Sequence, residues 1–218
     1  MKIKWLGHSS FLLEESTGTS IVTDPYEGDY VGIPYPEVRA DIVTISHGHN
    51  DHNAVKAVSG NPKVIDSVGF WEIDGVDINT LESNHDHHGG TRRGKNLICK
   101  FRLDGVDVVH MGDIGEEITP ELGEAIGPVN VLLIPVGDNY TIGAEQAKEY
   151  VDFLMPDIVI PMHYKTPSCQ LDIDKLRPFL QLFDDEHIRY EEGDSIELDR
   201  EDFDGESTKV IVFDDDKF

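Results

Sequence analysis

His47-Gly48-His49-Asn50-Asp51-His52 follows directly on Asp41–Ser46, a β-branched run that reads as a short buried strand. Four potential metal ligands fall within these six residues. Gly48 and Asn50 permit a tight loop. His47 and His49, two apart, can point the same way, while Asp51 and His52 can turn toward a neighbouring point. Imidazole nitrogens with a carboxylate oxygen suit zinc, manganese or iron. A polar surface loop is the bland alternative, but clustered His and Asp at ligand spacing argue against it.

Working outward, the upstream chain reads as strands. Lys2–Leu6 alternates, Ser10–Glu14 is apolar, and Thr19–Thr23 runs into the turn pair Asp24-Pro25. Residues 26–40 carry Gly and Pro at intervals and suggest a loop. Downstream, Asn53–Ser59 fits one or two helical turns, and strands follow at Lys63–Asp66, Val76–Glu82, Leu97–Leu103 and Val106–His110. The remainder alternates: helices over Pro120–Ile126, Ala144–Met155 and Asp172–Phe183, strands over Val131–Pro135, Asp157–Pro161 and Ile188–Leu198. Strands first, then alternating strand and helix, predict a mixed-sheet α/β architecture with helices outside.

The chain has 218 residues, 39% of them hydrophobic, which suits a globular protein able to bury a substantial core. No linker or repeat interrupts it, so a single domain over residues 1–218 is the expectation. The N-terminal apolar run is too short for a secretory signal, and no stretch approaches the roughly 20 apolar residues that span a bilayer. Cys99 and Cys169 cannot make a disulfide framework and are not spaced as a metal or redox motif. These features predict a cytoplasmic protein without a membrane partner. A net charge of −25 repels phosphate backbones, which disfavours nucleic acid as a partner, and it would suit a high-salt interior. Asp214-Asp215-Asp216 reads as a solvated tail.

His-x-His-x-Asp-His after a hydrophobic strand resembles the metallo-β-lactamase superfamily, and the similarity extends along the whole chain. The motif is specific for the superfamily and uninformative about substrate. The resemblance implies an αββα four-layer sandwich with metals at one edge of the paired sheets. It also implies further ligands. His85 follows strand Val76–Glu82, with His87 and His88 as close rivals. Asp113 ends His110-Met111-Gly112-Asp113, and His163 follows Asp157–Pro161. On this reading one ion takes His47, His49 and His85, a second takes Asp51, His52 and His163, and Asp113 bridges. The ions are two divalent metals, with zinc first and manganese or iron as alternatives.

Leu6-Gly7-His8-Ser9-Ser10, Thr23-Asp24-Pro25 and Pro161-Met162-His163-Tyr164-Lys165-Thr166 resemble one branch of that superfamily, which contains lactonases related to ascorbate-6-phosphate breakdown. His8 and Asp24 are candidates for holding ligand histidines in one tautomer. Equally, they read as a capped strand end and an Asp-Pro turn. His110 is a candidate support for the site or a buried structural histidine. Arg92-Arg93-Gly94-Lys95 is the densest basic cluster of an acidic chain. Arg92 and Arg93, with Lys165, are candidate contacts for an anionic substrate; a solvated hairpin tip is the alternative.

Paired metals bring the pKa of bound water from 15.7 to about 7, so hydrolysis is the implied chemistry. Asp51 is placed as both ligand and proton-handling group. The resemblance thus implies a hydrolase for a small-molecule ester, lactone or phosphoester, with homo-oligomers expected. The alternatives are a phosphodiesterase or nuclease of the same fold and a non-catalytic metal-binding protein. Flavo-diiron relatives carry Glu where His49 stands and need a flavin domain. True β-lactamases generally lack an Asp such as Asp113.

Overall fold

A computed structural model describes residues 1–203 and 205–214. Two sheets dominate. The first runs Ser195–Glu197, Lys2–Gly7, Ser10–Glu14, Ser20–Thr23, Ile42–Thr44, Lys63–Ile65. The second runs Ile188–Tyr190, Lys209–Val212, Ile158–Met162, Val131–Pro135, Val106–His110, Lys95–Leu103, Val76–Asn84, Gly69–Ile73. Alternating apolar residues of both sheets meet in one core, in which Ile3, Phe11, Leu13 and Ile21 of the first join Ile78, Phe101, Val108 and Leu133 of the second. Each such side chain contributes about 1.5–3 kcal/mol by leaving water. The two sheets thus pack face to face as a sandwich, the arrangement that the resemblance implies.

The outer layers differ. Over the second sheet lies the helix Ala144–Leu154, which buries Ala147, Tyr150 and Val151. Over the first sheet, Leu6, Val22, Val43 and Ile45 pack with Ala40 and Val58, so that outer face is covered by short, mostly irregular chain that includes the 3-10 turn Val55–Ala57. Among the described residues no helix is long and apolar enough to cross a membrane.

Strand direction decides where the site forms. Lys2–Gly7 and Ser20–Thr23 both pair antiparallel with Ser10–Glu14, so they run the same way, and Ile42–Thr44 is parallel to Ser20–Thr23. In the second sheet Val76–Asn84 and Val106–His110 both pair antiparallel with Lys95–Leu103, and Val131–Pro135 and Ile158–Met162 continue parallel. The chain just after six of these strand ends carries His8, Asp24, the 47–52 loop, His85, Asp113 and His163. Ligands gather at the carboxyl ends of parallel strands for this reason.

Two expected elements are corrected. Of Asp172–Phe183, only Arg177–Leu180 is helical. The preceding backbone is committed elsewhere: Asp174 N–H donates to the Gly137 carbonyl at 2.7 Å, and the Asp174 carbonyl accepts from Lys165 N–H at 2.8 Å. Ile188–Leu198 is not one strand. Ile188–Tyr190 joins the second sheet and Ser195–Glu197 the first, with Gly193 at φ 119° in the crossing. Gly69–Ile73 and Lys209–Val212, unassigned from the sequence, are also strands. Asp214 is exposed, and the rest of the acidic tail, Asp215 and Asp216, lies outside the described residues.

Candidate metal centre

Three groups of converging donors lie at this edge: His47, His49 and His85; His47, His52 and Asp113; and His8, Asp51, His52 and His163. Within each group the donor atoms lie within 4.8 Å of one another. Asp113 joins the groups. Its Oδ2 is 3.8 Å from His47 Nε2, 3.5 Å from His85 Nε2, 3.1 Å from His52 Nε2 and 3.3 Å from His163 Nε2. The structure therefore brings all seven expected ligands together, with Asp113 between the two sets of histidines. Of the three candidates after Val76–Asn84, His85 is buried at the cluster, while His87 and His88 are exposed. His49 is exposed and marks the solvent side.

Asp24, buried, accepts from His52 Nδ1 at 2.8 Å, from Ser46 N–H at 2.7 Å and from Ser46 Oγ at 2.6 Å. With the Ser46 hydroxyl donated to Asp24, its oxygen is free to accept from His47 Nδ1, 3.0 Å away. One carboxylate thus sets the tautomers of His52 directly and His47 through Ser46. Both then present Nε2 toward Asp113, the side on which a metal would be held.

His110 acts on a different neighbour. Its Nε2 donates to the Ser9 carbonyl at 2.8 Å, and its Nδ1 accepts from Gly112 N–H at 3.2 Å. It holds the backbone just ahead of Asp113. His8 makes no such contact: neither ring nitrogen has a hydrogen-bond partner, so the expected role of fixing another histidine's tautomer is corrected. The reason is spatial, since Asp24 already occupies His52 Nδ1 and the His8 ring faces Asp51 and His163 instead.

Three supports were not legible as site residues. Ser46 is one. Asn96, buried, accepts from Asp113 N–H at 2.8 Å while its amide donates to Ser83 Oγ at 2.8 Å and the Met111 carbonyl at 2.9 Å. A lone polar residue in the apolar run after Lys95 is the signal that could have found it. Gly137 admits His163: a Cβ there would lie 2.0 Å from the His163 carbonyl oxygen.

Burial lowers the pKa of His47 to about 3, reinforced by His52. Burial alone would raise Asp113, but His163 and His52 beside it hold its carboxyl well below the ordinary range. Burial opposes protonation of His52, yet Asp113, Asp51 and Asp24 around it hold its pKa well above 6.5. The buried Nε2 atoms of His47, His52 and His163 lack hydrogen-bond partners and are donors a metal would satisfy, so the residues present fit one.

The three candidate substrate cations are placed as follows. Arg92 is exposed, Arg93 lies 4.5 Å over the Tyr140 ring, and Lys165 Nζ donates to the Leu171 carbonyl. The loop carrying both arginines is ordered by Asp86, whose carboxylate accepts backbone N–H groups of His88, Gly90, Arg92 and Arg93.

The chain matches the model of the β-lactamase superfamily domain over residues 2–163. It is 32% identical to a UPF0173 metal-dependent hydrolase of Pelotomaculum thermopropionicum, over 91% of this chain and 100% of that one. An Archaeoglobus fulgidus protein of the same description is 29% identical over 92% of this chain and 100% of its own. A Thermotoga maritima crystal structure, described as a Zn-dependent hydrolase of the metallo-β-lactamase superfamily, aligns with a TM-score of 0.78 and 42% identity over 97% of each chain.

Proposed function

Starting from the fact that the chain belongs to the metallo-β-lactamase superfamily, we propose that it is a metal-dependent hydrolase with a dinuclear centre that acts on a small-molecule ester, lactone or phosphoester. The observation that carries this reading is the position of Asp113 Oδ2, within 3.1–3.8 Å of four imidazole nitrogens from both sides of the cluster. A bridging carboxylate between two histidine sets suits paired cations better than one.

When bound, the ions supply hydroxide at neutral pH and an electrophilic partner for developing negative charge. His47, His49 and His85 would hold the first ion, and Asp51, His52 and His163 the second. Zinc suits this donor set, with manganese or iron as alternatives. Asp51, 8% exposed, is the carboxylate placed to orient the nucleophile or take its proton. Arg92 and Arg93, with Lys165, would receive an anionic group on the substrate. Small-molecule substrates, a lactone first, and a homo-oligomeric cytoplasmic protein complete the proposal. The acidic surface supports a substrate other than nucleic acid.

The test joins metal analysis of the purified protein to a screen of lactones against bis-p-nitrophenyl phosphate, with zinc, manganese and iron added in turn. Turnover of a lactone supports the reading. Turnover of the phosphodiester alone moves it to the phosphodiesterase branch, and no turnover with any metal leaves a metal-binding protein.

A further inference from the structure

We propose that His8 is an additional ligand of the second ion, joining Asp51, His52, His163 and the shared Asp113 in its protein shell; the inference rests on the dinuclear reading above. His8 is 1% exposed, and neither of its ring nitrogens has a hydrogen-bond partner. Buried imidazoles are normally satisfied on at least one nitrogen. In this cluster His163 shows the same double vacancy of partners, and it is one of the expected ligands.

The geometry agrees. His8 Nε2 faces Asp51 Oδ2 at 3.6 Å, too long for a hydrogen bond, and the His8 ring centroid is 4.2 Å from that of His163. The donor atoms of His8, Asp51, His52 and His163 lie within 4.8 Å of one another. Donors that share one ion at about 2.1 Å each lie no more than about 4.2 Å apart, so small shifts would close the shell.

The backbone is built to hold His8 there. Its φ is 52°, in the left-handed region that favours glycine, a conformation that persists in a histidine only where surroundings impose it. Here the His8 carbonyl accepts from Trp5 Nε1 at 3.0 Å and from His163 N–H at 3.4 Å, and Tyr26 Oη donates to the Leu6 carbonyl at 2.8 Å. The turn carrying His8 is thus fastened to the loop carrying His163.

The experiment is cadmium-113 NMR of the full chain with nitrogen-15 histidines, loaded with cadmium, alongside chelator competition on His8→Asn. Asparagine tolerates positive φ but is too short to reach. The expected result is two cadmium signals, the second coupled to three imidazoles, with second-ion affinity in His8→Asn falling on the order of 100-fold, at the upper end of what outer contacts alone cost. First-ion binding should be unchanged, which also reports an intact fold. Two signals with only two imidazoles coupled to the second would overturn the role of His8 and leave the dinuclear reading standing. Fewer than two cadmium ions in wild type would overturn both. Should His8→Asn fail to fold, the wild-type couplings alone decide.

Discussion

Asp24 holds His52: its carboxylate accepts from His52 Nδ1 at 2.8 Å, in a pocket where both side chains are fully buried. Through Ser46 the same carboxylate reaches His47, so one residue fixes two of the imidazoles that face Asp113. Burial alone would raise its pKa, but His52 keeps Asp24 ionised and below the ordinary carboxylate value. Asp24→Ala should therefore weaken metal binding by roughly 10–100-fold. Chelator competition measures this, and unchanged affinity in a folded variant would contradict it.

Gly137 gives a steric test. Its missing side chain is required by the His163 carbonyl, 2.0 Å from where a Cβ would stand. Gly137→Ala must displace His163 and should cost about 1–3 kcal/mol of stability. Metal content should fall from two ions to one, because His47, His49 and His85 lie on other loops. Loss of both ions at once, with the fold retained, would show that the two positions are not separable.

Asn96→Leu removes the acceptor for Asp113 N–H and the donor to the Met111 carbonyl, leaving two buried backbone groups unmatched. At about 1–3 kcal/mol each, the expected loss is several kcal/mol, on the order of 5–15 °C in Tm for a chain of this size. Differential scanning calorimetry of the metal-free protein checks it; a shift of a degree or less would show that Asp113 is positioned by other contacts.

Acidification supplies a test of His8. Burial, followed by His163, lowers its pKa from 6.5 to about 4. Above pH 6.5 it is neutral whether the chain is folded or not. Between 6.5 and about 4 the unfolded chain binds a proton that the fold refuses, so stability falls as pH falls. That contribution is on the order of 3 kcal/mol across the window. His52 works in the opposite sense, its raised pKa giving stability at low pH that is lost as pH rises through its folded value. Urea denaturation of metal-free protein should show a weaker decline on acidification in His8→Asn than in wild type; parallel curves would refute the assignment.

Asp51 and Arg92 should separate in kinetics. Asp51 is buried among the ligands, and Arg92 is exposed. Asp51→Ala should lower kcat/KM by roughly 100-fold or more, the scale of a lost acid–base group or ligand. Arg92→Ala with Arg93→Ala should raise KM for an anionic substrate and leave kcat nearly unchanged. Equal losses in both variants would overturn that division of roles.

The residues that converge on Asp113 are readable because each follows an apolar strand, a local pattern that survives without knowledge of the fold. His85 could be chosen over His87 and His88 on that ground. The supports were less readable because their partners are distant: Asn96 meets Asp113 across neighbouring strands, and Gly137 matters only when the His163 loop arrives. His8 was visible as a residue near the site, but its lack of hydrogen-bond partners appears only in three dimensions. The segment 172–176 looked helical by spacing, yet its backbone is used to clamp the loops of Gly137 and Lys165. Likewise the apolar spacing of Ile188–Leu198 predicts one strand, because spacing does not show a chain passing between sheets.

Anomalous diffraction at the absorption edge of the bound metal, from crystals of the loaded protein, tests the account most directly. Two peaks are predicted, one among His47, His49 and His85 and the other among Asp51, His52 and His163, with Asp113 between them. A single peak, or none at this edge of the sheets, would contradict it.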